Sequence, residues 1–251
     1  MKTLLLVALL IYGAAAGYLY LFQRSYIYFP ALTRPAALDT NLELVRDGVT
    51  LRGWRLQPGH DEAFVYFGGN AERIEYNIPE FEALLPRHTI YMLAYRGYGD
   101  SGGSPTEEAL VRDALALYDR VAGDHERVAV MGRSLGSAVA VAVAARRPVA
   151  RLALITPFDS LVTVGAGAFP LFPVGLLLKD RYAAVKEAPA VTADTLILHA
   201  ARDEIIPAAG VRRLVDAFPA ERLEVVEIPG TGHNDIAAQP AYYAALAAFL
   251  N

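Results

Sequence analysis

Two serines in the chain occupy the pattern Gly-x-Ser-x-Gly, as Gly99-Asp100-Ser101-Gly102-Gly103 and as Gly132-Arg133-Ser134-Leu135-Gly136. A serine hydroxyl is a poor nucleophile at neutral pH. It attacks a carbonyl only when an imidazole takes its proton and a carboxylate fixes the imidazole's tautomer. Context separates the two serines. Ser134 lies between the apolar run Arg127 to Met131 and the small-residue stretch Ser137 to Ala145, a strand-to-helix turn that holds a serine on a strained bend with its hydroxyl projecting. Gly132 and Gly136 leave room where the strand and helix backbones converge. Ser134 is the expected nucleophile.

The first pattern looks like the GDSGG of trypsin-like proteases only on the surface. That arrangement needs an all-β fold with His and Asp ahead of Ser, whereas most candidate partners here come later in the chain. Tyr95 to Pro105 reads instead as a turn-rich loop. Five histidines compete for the base. His60, His88 and His125 sit in polar connections and read as solvent-facing. His199 ends the run Thr195 to Ala200, and His233 lies in the loop Gly230 to Asp235; both are placed to approach Ser134. His233 is favoured because it follows an acid that also ends a strand, giving the order Ser, acid, His. That acid is Asp203, with Asp159 the second choice; Glu204 and Asp235 read as loop charges.

Acyl transfer also needs fixed N–H donors for the developing oxyanion. Leu135 N–H, just after the nucleophile, is one. Asn70 N–H is the other, from the loop Phe67-Gly68-Gly69-Asn70, with Gly69 the neighbour able to replace it. This loop matches neither Gly-x-Gly-x-x-Gly nor a P-loop, so no nucleotide is expected there.

These residues need a scaffold. Leu42 to Arg46 and Val49 to Leu56 flank Asp47-Gly48 and read as a hairpin. From Ala63, apolar runs of strand length alternate with helical stretches: Glu72 to Leu85, Glu107 to Val121, Leu135 to Arg146, Ala208 to Phe218 and Ile236 to Leu250. The pattern predicts an α/β fold with a mostly parallel central sheet and helices on both faces. Its chemistry collects at the carboxyl ends of the strands.

Over 251 residues, 54% hydrophobic and 20% charged, the chain supports one substantial core rather than a disordered chain. A net charge of -4 offers no field for nucleic acid, and the absence of cysteine removes disulfides, thiolate metal sites and a cysteine nucleophile. No metal is expected. Leu4 to Phe22 carries no charge and has the length of a membrane-crossing helix. Lys2 precedes it; Tyr18, Tyr20, Arg24, Tyr26 and Tyr28 form an aromatic and basic flank on the far side. Residues 1–24 are expected to be a retained anchor, or an uncleaved signal, ahead of a catalytic domain over 25–251. Ala14-Ala15-Ala16 supports cleavage, but Tyr18 to Phe22 continues the apolar run past it. The basic end places the domain on the extracytoplasmic side, although Arg24 and Arg34 oppose that bias. Pro157 to Ala193 is the one connection long enough for a modest cap. Its apolar residues either line an acyl pocket or, for Leu176 to Leu178, pack a short helix on the sheet. Lys179-Asp180-Arg181 reads as a solvated end.

With these pieces assembled, the chain resembles an α/β-hydrolase, and more narrowly the small membrane-anchored serine hydrolases that include depalmitoylating thioesterases. The resemblance runs from about Gln23 to the C-terminus, on QRSYIYFP, FGGNAE, YRGYGDSGGSP, GRSLGS, HAARDEIIP and GTGHND. It implies the α/β-hydrolase fold, a Ser134-Asp203-His233 triad, an oxyanion loop at Asn70 and cofactor-free cleavage of an ester or thioester, in the carboxylesterase or thioesterase class. Gly68 departs from it, since many relatives carry His there. A peptidase on the same triad and a catalytically silent membrane-tethered binding protein are the alternatives; the expected substrate is a small or acylated molecule.

Overall fold

The computed structural model describes residues 1–251. Its centre is one eight-stranded sheet in the order β1-β2-β4-β3-β5-β6-β7-β8. The strands are β1 (Leu42–Arg46), β2 (Val49–Leu56), β3 (Glu62–Phe67), β4 (His88–Leu93), β5 (Arg127–Arg133), β6 (Arg151–Ile155), β7 (Asp194–Ala200) and β8 (Leu223–Ile228). β1–β2 and β2–β4 pair antiparallel, and every other pair is parallel. The hairpin register, Arg46 opposite Val49, leaves Asp47 and Gly48 as its two turn residues, both at positive φ.

Central strands β3 to β6 are almost entirely buried, which is why they read as unbroken apolar runs rather than alternating ones. The helices that matter here are α1 (Lys2–Phe22), α2 (Ile78–Leu84), α3 (Glu107–Asp124), α4 (Leu135–Ala144), α5 (Leu161–Ala168), α6 (Ala208–Ala217) and α7 (Pro240–Leu250). α2 and α7 touch each other, while α3 packs on α4; α4 and α6 meet through the single turn Ala184–Glu187. All ten residues of α4 are buried. Its Ala/Val composition suits a helix enclosed on every side. One continuous apolar cluster extends from Tyr28 to Leu250, so the sheet and its helices share a single core.

Three local expectations change. The helix expected over 72–85 is a 3-10 turn, Ile74–Asn77, followed by α2, because Pro79 is accommodated only in the first turn of an α-helix. His88 is buried, beside Glu62 at 3.3 Å, and His125 is half-buried between Tyr91 Oη and the His60 carbonyl, each at 2.9 Å. Of Lys179-Asp180-Arg181, the two flanking residues are exposed as expected, but the acid between them is not. Asp180 is buried and accepts from Arg24 at 2.9 Å and from Tyr28 Oη at 3.1 Å. A carboxylate leaves water only for partners of this kind.

α1 is 21 residues long, with a mean hydropathy of 2.1 and no fully buried residue, although Ala15, Ala16 and Leu19 are half-buried. By length and composition it is a candidate membrane span.

Candidate active site

The site forms where β3, β5, β7 and β8 end. β5 runs into α4 through Ser134, whose backbone sits at φ 49°, ψ −116°. A non-glycine residue there carries about 1–3 kcal/mol of strain. Neighbouring bonds hold it: Ser134 N–H donates to Ile155 O at 2.9 Å, and the Ser134 carbonyl accepts from Ser137 N at 2.9 Å and Ser137 Oγ at 2.6 Å. The bend is possible because Gly136 lies against β3; a Cβ there would stand 2.0 Å from Phe67 O.

The loop after β8 brings His233 Nε2 to 2.9 Å from Ser134 Oγ. Its Nδ1 lies 2.9 Å from Asp203 Oδ2, in the loop after β7. An ionised carboxylate only accepts, so Nδ1 carries the proton and Nε2 is left bare for the serine hydroxyl. The His233 and Asp203 side chains are 5% and 8% exposed, which keeps water from competing for that bond. Burial opposes the Asp203 charge, but the His233 bond and the N–H groups of Ile206 and Ile205 outweigh it; its carboxyl stays below the usual carboxylate range.

The other candidates are engaged elsewhere. Asp159 is buried, bonded to Ser160 N, Thr163 Oγ1 and Arg213, where it ties the start of α5 to α6. His199 faces Glu227 at 3.9 Å. Glu204 accepts from His233 N at 3.1 Å and Asp235 from Gly232 N at 2.6 Å, so both acids fix the histidine loop rather than its ring. Ser101 is fully buried and its Oγ bonds backbone alone, to Ala94 O and Arg52 N. The spacing Gly97-x-Gly99-x-x-Gly102 around it opens no helix; Gly97 N–H closes on Gly102 O at 2.9 Å, which leaves no phosphate cradle.

Asn70 and Leu135 border the same cleft as Ser134 and His233. Asn70 N–H donates to no protein acceptor, and Leu135, as first residue of α4, has no intrahelical acceptor for its own. Gly69 N–H is committed to Glu72 Oε2 at 2.6 Å, which removes it as an alternative donor. Glu72 was missed from the sequence. It is 10% exposed and also accepts from Tyr66 Oη at 2.8 Å and Asn77 Nδ2 at 2.6 Å, and it faces Arg133 at 3.5 Å. One carboxylate thus braces the glycine loop from behind and links it to the residue preceding Ser134. Its place three residues after Gly69 was the only signal. The Asn70 side chain turns away, to Ile27 O at 3.0 Å. Gly68 has its own local cause: a Cβ there would stand 2.3 Å from the Ile74 methyl.

The cleft encloses about 580 Å³ and is mostly apolar, a size suited to a small molecule. Its walls include Phe158, Leu161, Phe169 and Phe172 from the cap, together with Leu177 and Leu178. Leu177 and Leu178 therefore face the cleft instead of packing on the sheet, and Leu176 is exposed.

A model of the Alpha/beta hydrolase family matches residues 58–181. An uncharacterised protein of Mycobacterium tuberculosis is 37% identical over 232 residues, covering 85% of this chain and 81% of the relative. The chain belongs to the α/β-hydrolase family. An uncharacterised membrane protein of Saccharomyces cerevisiae is 27% identical to this α/β-hydrolase over 219 residues, 82% of this chain and 77% of the relative. Among solved structures, the Pyrococcus furiosus esterase Pf2001 shares the fold, with a TM-score of 0.69 and 18% identity over 86% of this chain and 93% of the esterase. The fold is thus that of an α/β-hydrolase.

Proposed function

We propose that this α/β-hydrolase cleaves carboxylic ester or thioester bonds through an acyl-enzyme on Ser134. The observation that carries the reading is the unbroken line of 2.9 Å contacts from Ser134 Oγ through His233 to Asp203, opening on an apolar cleft. As Ser134 Oγ bonds to the carbonyl carbon, its proton passes to His233 Nε2, and Asp203 stabilises the resulting imidazolium. Asn70 and Leu135 N–H receive the oxyanion. Collapse expels the alcohol or thiol, protonated by His233; a water then adds to the acyl carbon with His233 again as base, and the carboxylic acid leaves. Each step uses only groups in this chain and water.

A fluorophosphonate is expected to label the wild type and not Ser134→Ala, whose ester turnover falls about 10⁴-fold or more. Undiminished labelling of Ser134→Ala would overturn the assignment. Nitrophenyl esters of increasing chain length are expected to show falling KM, as the apolar cleft fills, while aminopeptide substrates are not cleaved.

α1 is read as a retained single-pass anchor, with the catalytic domain outside the cytoplasm. The charge-free stretch and Lys2 at its start support this. Protease added to intact cells is expected to digest the domain; protection that ends only on opening the membrane reverses the orientation.

A further inference from the structure

The cap does not sit at the end of α1; it runs alongside it. Tyr12, at the middle of α1, donates its hydroxyl to Leu171 O at 2.8 Å, and its ring stacks on Phe172 at 5.2 Å. At 1.5 Å per residue Tyr12 lies about 15 Å along the helix from Phe22, half the thickness of a ~30 Å hydrocarbon layer. Leu171 and Leu176 are 81% and 83% exposed, although both are large and apolar. Polar groups begin at the level expected for the headgroups. Lys179 Nζ stands 4.0 Å over the Tyr20 ring, and Arg24 pairs with Asp180 at 2.9 Å. Tyr20 is about 12 Å along the helix from Tyr12.

Most of the backbone is paired. Lipid tolerates irregular chain only where its polar groups are bonded. Of the eight N–H groups in residues 169–178, those of Phe169, Phe172, Val174, Leu176, Leu177 and Leu178 donate within the segment or to its immediate neighbours, Leu171 and Gly175 find no acceptor in the chain, and Pro170 and Pro173 have none to satisfy. The Leu171 carbonyl is taken by Tyr12.

We propose that the cap tip, residues 169–178, is a second membrane-inserted element that enters the same leaflet as α1. The apolar cleft that both elements line is a lateral portal through which an acyl chain reaches Ser134 without crossing water. The cleft is built for this: Leu19 of α1 and Gln23 just after it form one wall, Phe169 and Phe172 another, and Ser134 and His233 the floor. The occupant of the exposed face is the acyl region of a bilayer, because the face continues the surface of a helix long and apolar enough to span one. The portal rests on the acyl-hydrolase reading above; insertion of the cap does not.

The chain has no cysteine, so Leu171→Cys, Leu9→Cys and Val45→Cys each carry a single environment-sensitive fluorophore. The full chain is reconstituted in phosphatidylcholine vesicles containing a lipid with a nitroxide at acyl carbon 12. The labels at Leu171 and Leu9 are expected to be quenched several-fold more than that at Val45, an exposed residue of β1. A Leu171 label quenched no more than the Val45 label overturns insertion, whether water or a second copy of the chain covers the face instead. In the second measurement, Leu171→Glu/Leu176→Glu is expected to cleave a long-chain ester held in the vesicles at least tenfold more slowly. It turns over a short soluble nitrophenyl ester within twofold of wild type, since neither leucine borders the cleft. Parallel loss, or no loss, of the two activities overturns the portal. If wild type cleaves neither ester, the hydrolase reading fails, and quenching still decides insertion.

Discussion

At the scale of single residues, Asp203 divides its two oxygens between two tasks. Oδ1 accepts the N–H groups of Ile205 and Ile206, which locks the carboxylate plane, while Oδ2 faces the imidazole. Because its folded pKa lies below the unfolded value of about 3.9, this group adds stability that is fully present above that value. The contribution is lost as pH falls through the lower folded pKa. Urea unfolding of wild type and Asp203→Asn at pH 7 and pH 3 is therefore expected to show wild type losing more stability on acidification. Parallel losses mean that the carboxylate is not held as described. Glu72 acts at one remove, through Gly69, and is a positioning residue. Glu72→Gln keeps an acceptor but gives up the charge facing Arg133. Losing one oxyanion donor outright costs about 10²–10³ in kcat, so a loosened donor is expected to cost about tenfold, with KM near wild type. A change confined to KM contradicts the bracing role.

At the scale of elements, the β5–α4 junction is the point of least tolerance. Gly136→Ala places a methyl 2.0 Å from the backbone of β3, which no rotamer relieves. The expected result is a lowered melting temperature together with lost ester turnover, since β3 carries the Asn70 loop. Gly123→Ala, near the end of α3, meets nothing within 4 Å and is expected to change stability by at most about 1 kcal/mol, in the favourable direction. Equal effects of the two substitutions contradict the packing described. The same junction was legible in the sequence, because strand run, glycine spacing and small-residue helix are all local signals. So was the order Ser134, Asp203, His233, each at the end of an apolar run. Glu72 and Asp180 were not legible. A carboxylate in a polar stretch looks like a solvated charge, and its burial depends on partners that no period links to it: Arg24 and Asp180 are separated by 156 positions. The helix expected over 72–85 begins only at Ile78 because Pro79 must lie in its first turn, which leaves Glu72 outside it and bonded to Gly69 N.

At the scale of the whole molecule, α1 is fastened to the α/β-hydrolase fold rather than tethered by a slack linker. Gln23 donates to Leu177 O at 3.1 Å and accepts from Lys179 N at 2.6 Å; Arg24 and Tyr28 converge on Asp180, and Tyr28 Oη lies 2.9 Å from Tyr182 Oη. Burial holds the Tyr28 and Tyr182 hydroxyls neutral far above the usual phenol range, so the knot keeps its donors at any physiological pH. Removing the carboxylate leaves Arg24, half exposed, free to hydrate, and Tyr28 still bonded to Tyr182; the loss is therefore smaller than for a fully buried ion pair. Asp180→Ala is expected to cost about 1–3 kcal/mol, read as a lower melting temperature of the detergent-solubilised full chain. Because Gln23, Leu177 and Leu178 border the cleft, the loosened joint is also expected to raise KM for long-chain esters more than for short ones. An Asp180→Ala chain with wild-type melting and an unchanged chain-length profile means that α1 and the α/β-hydrolase fold move independently, and that the wall α1 gives the cleft has no bearing on substrate.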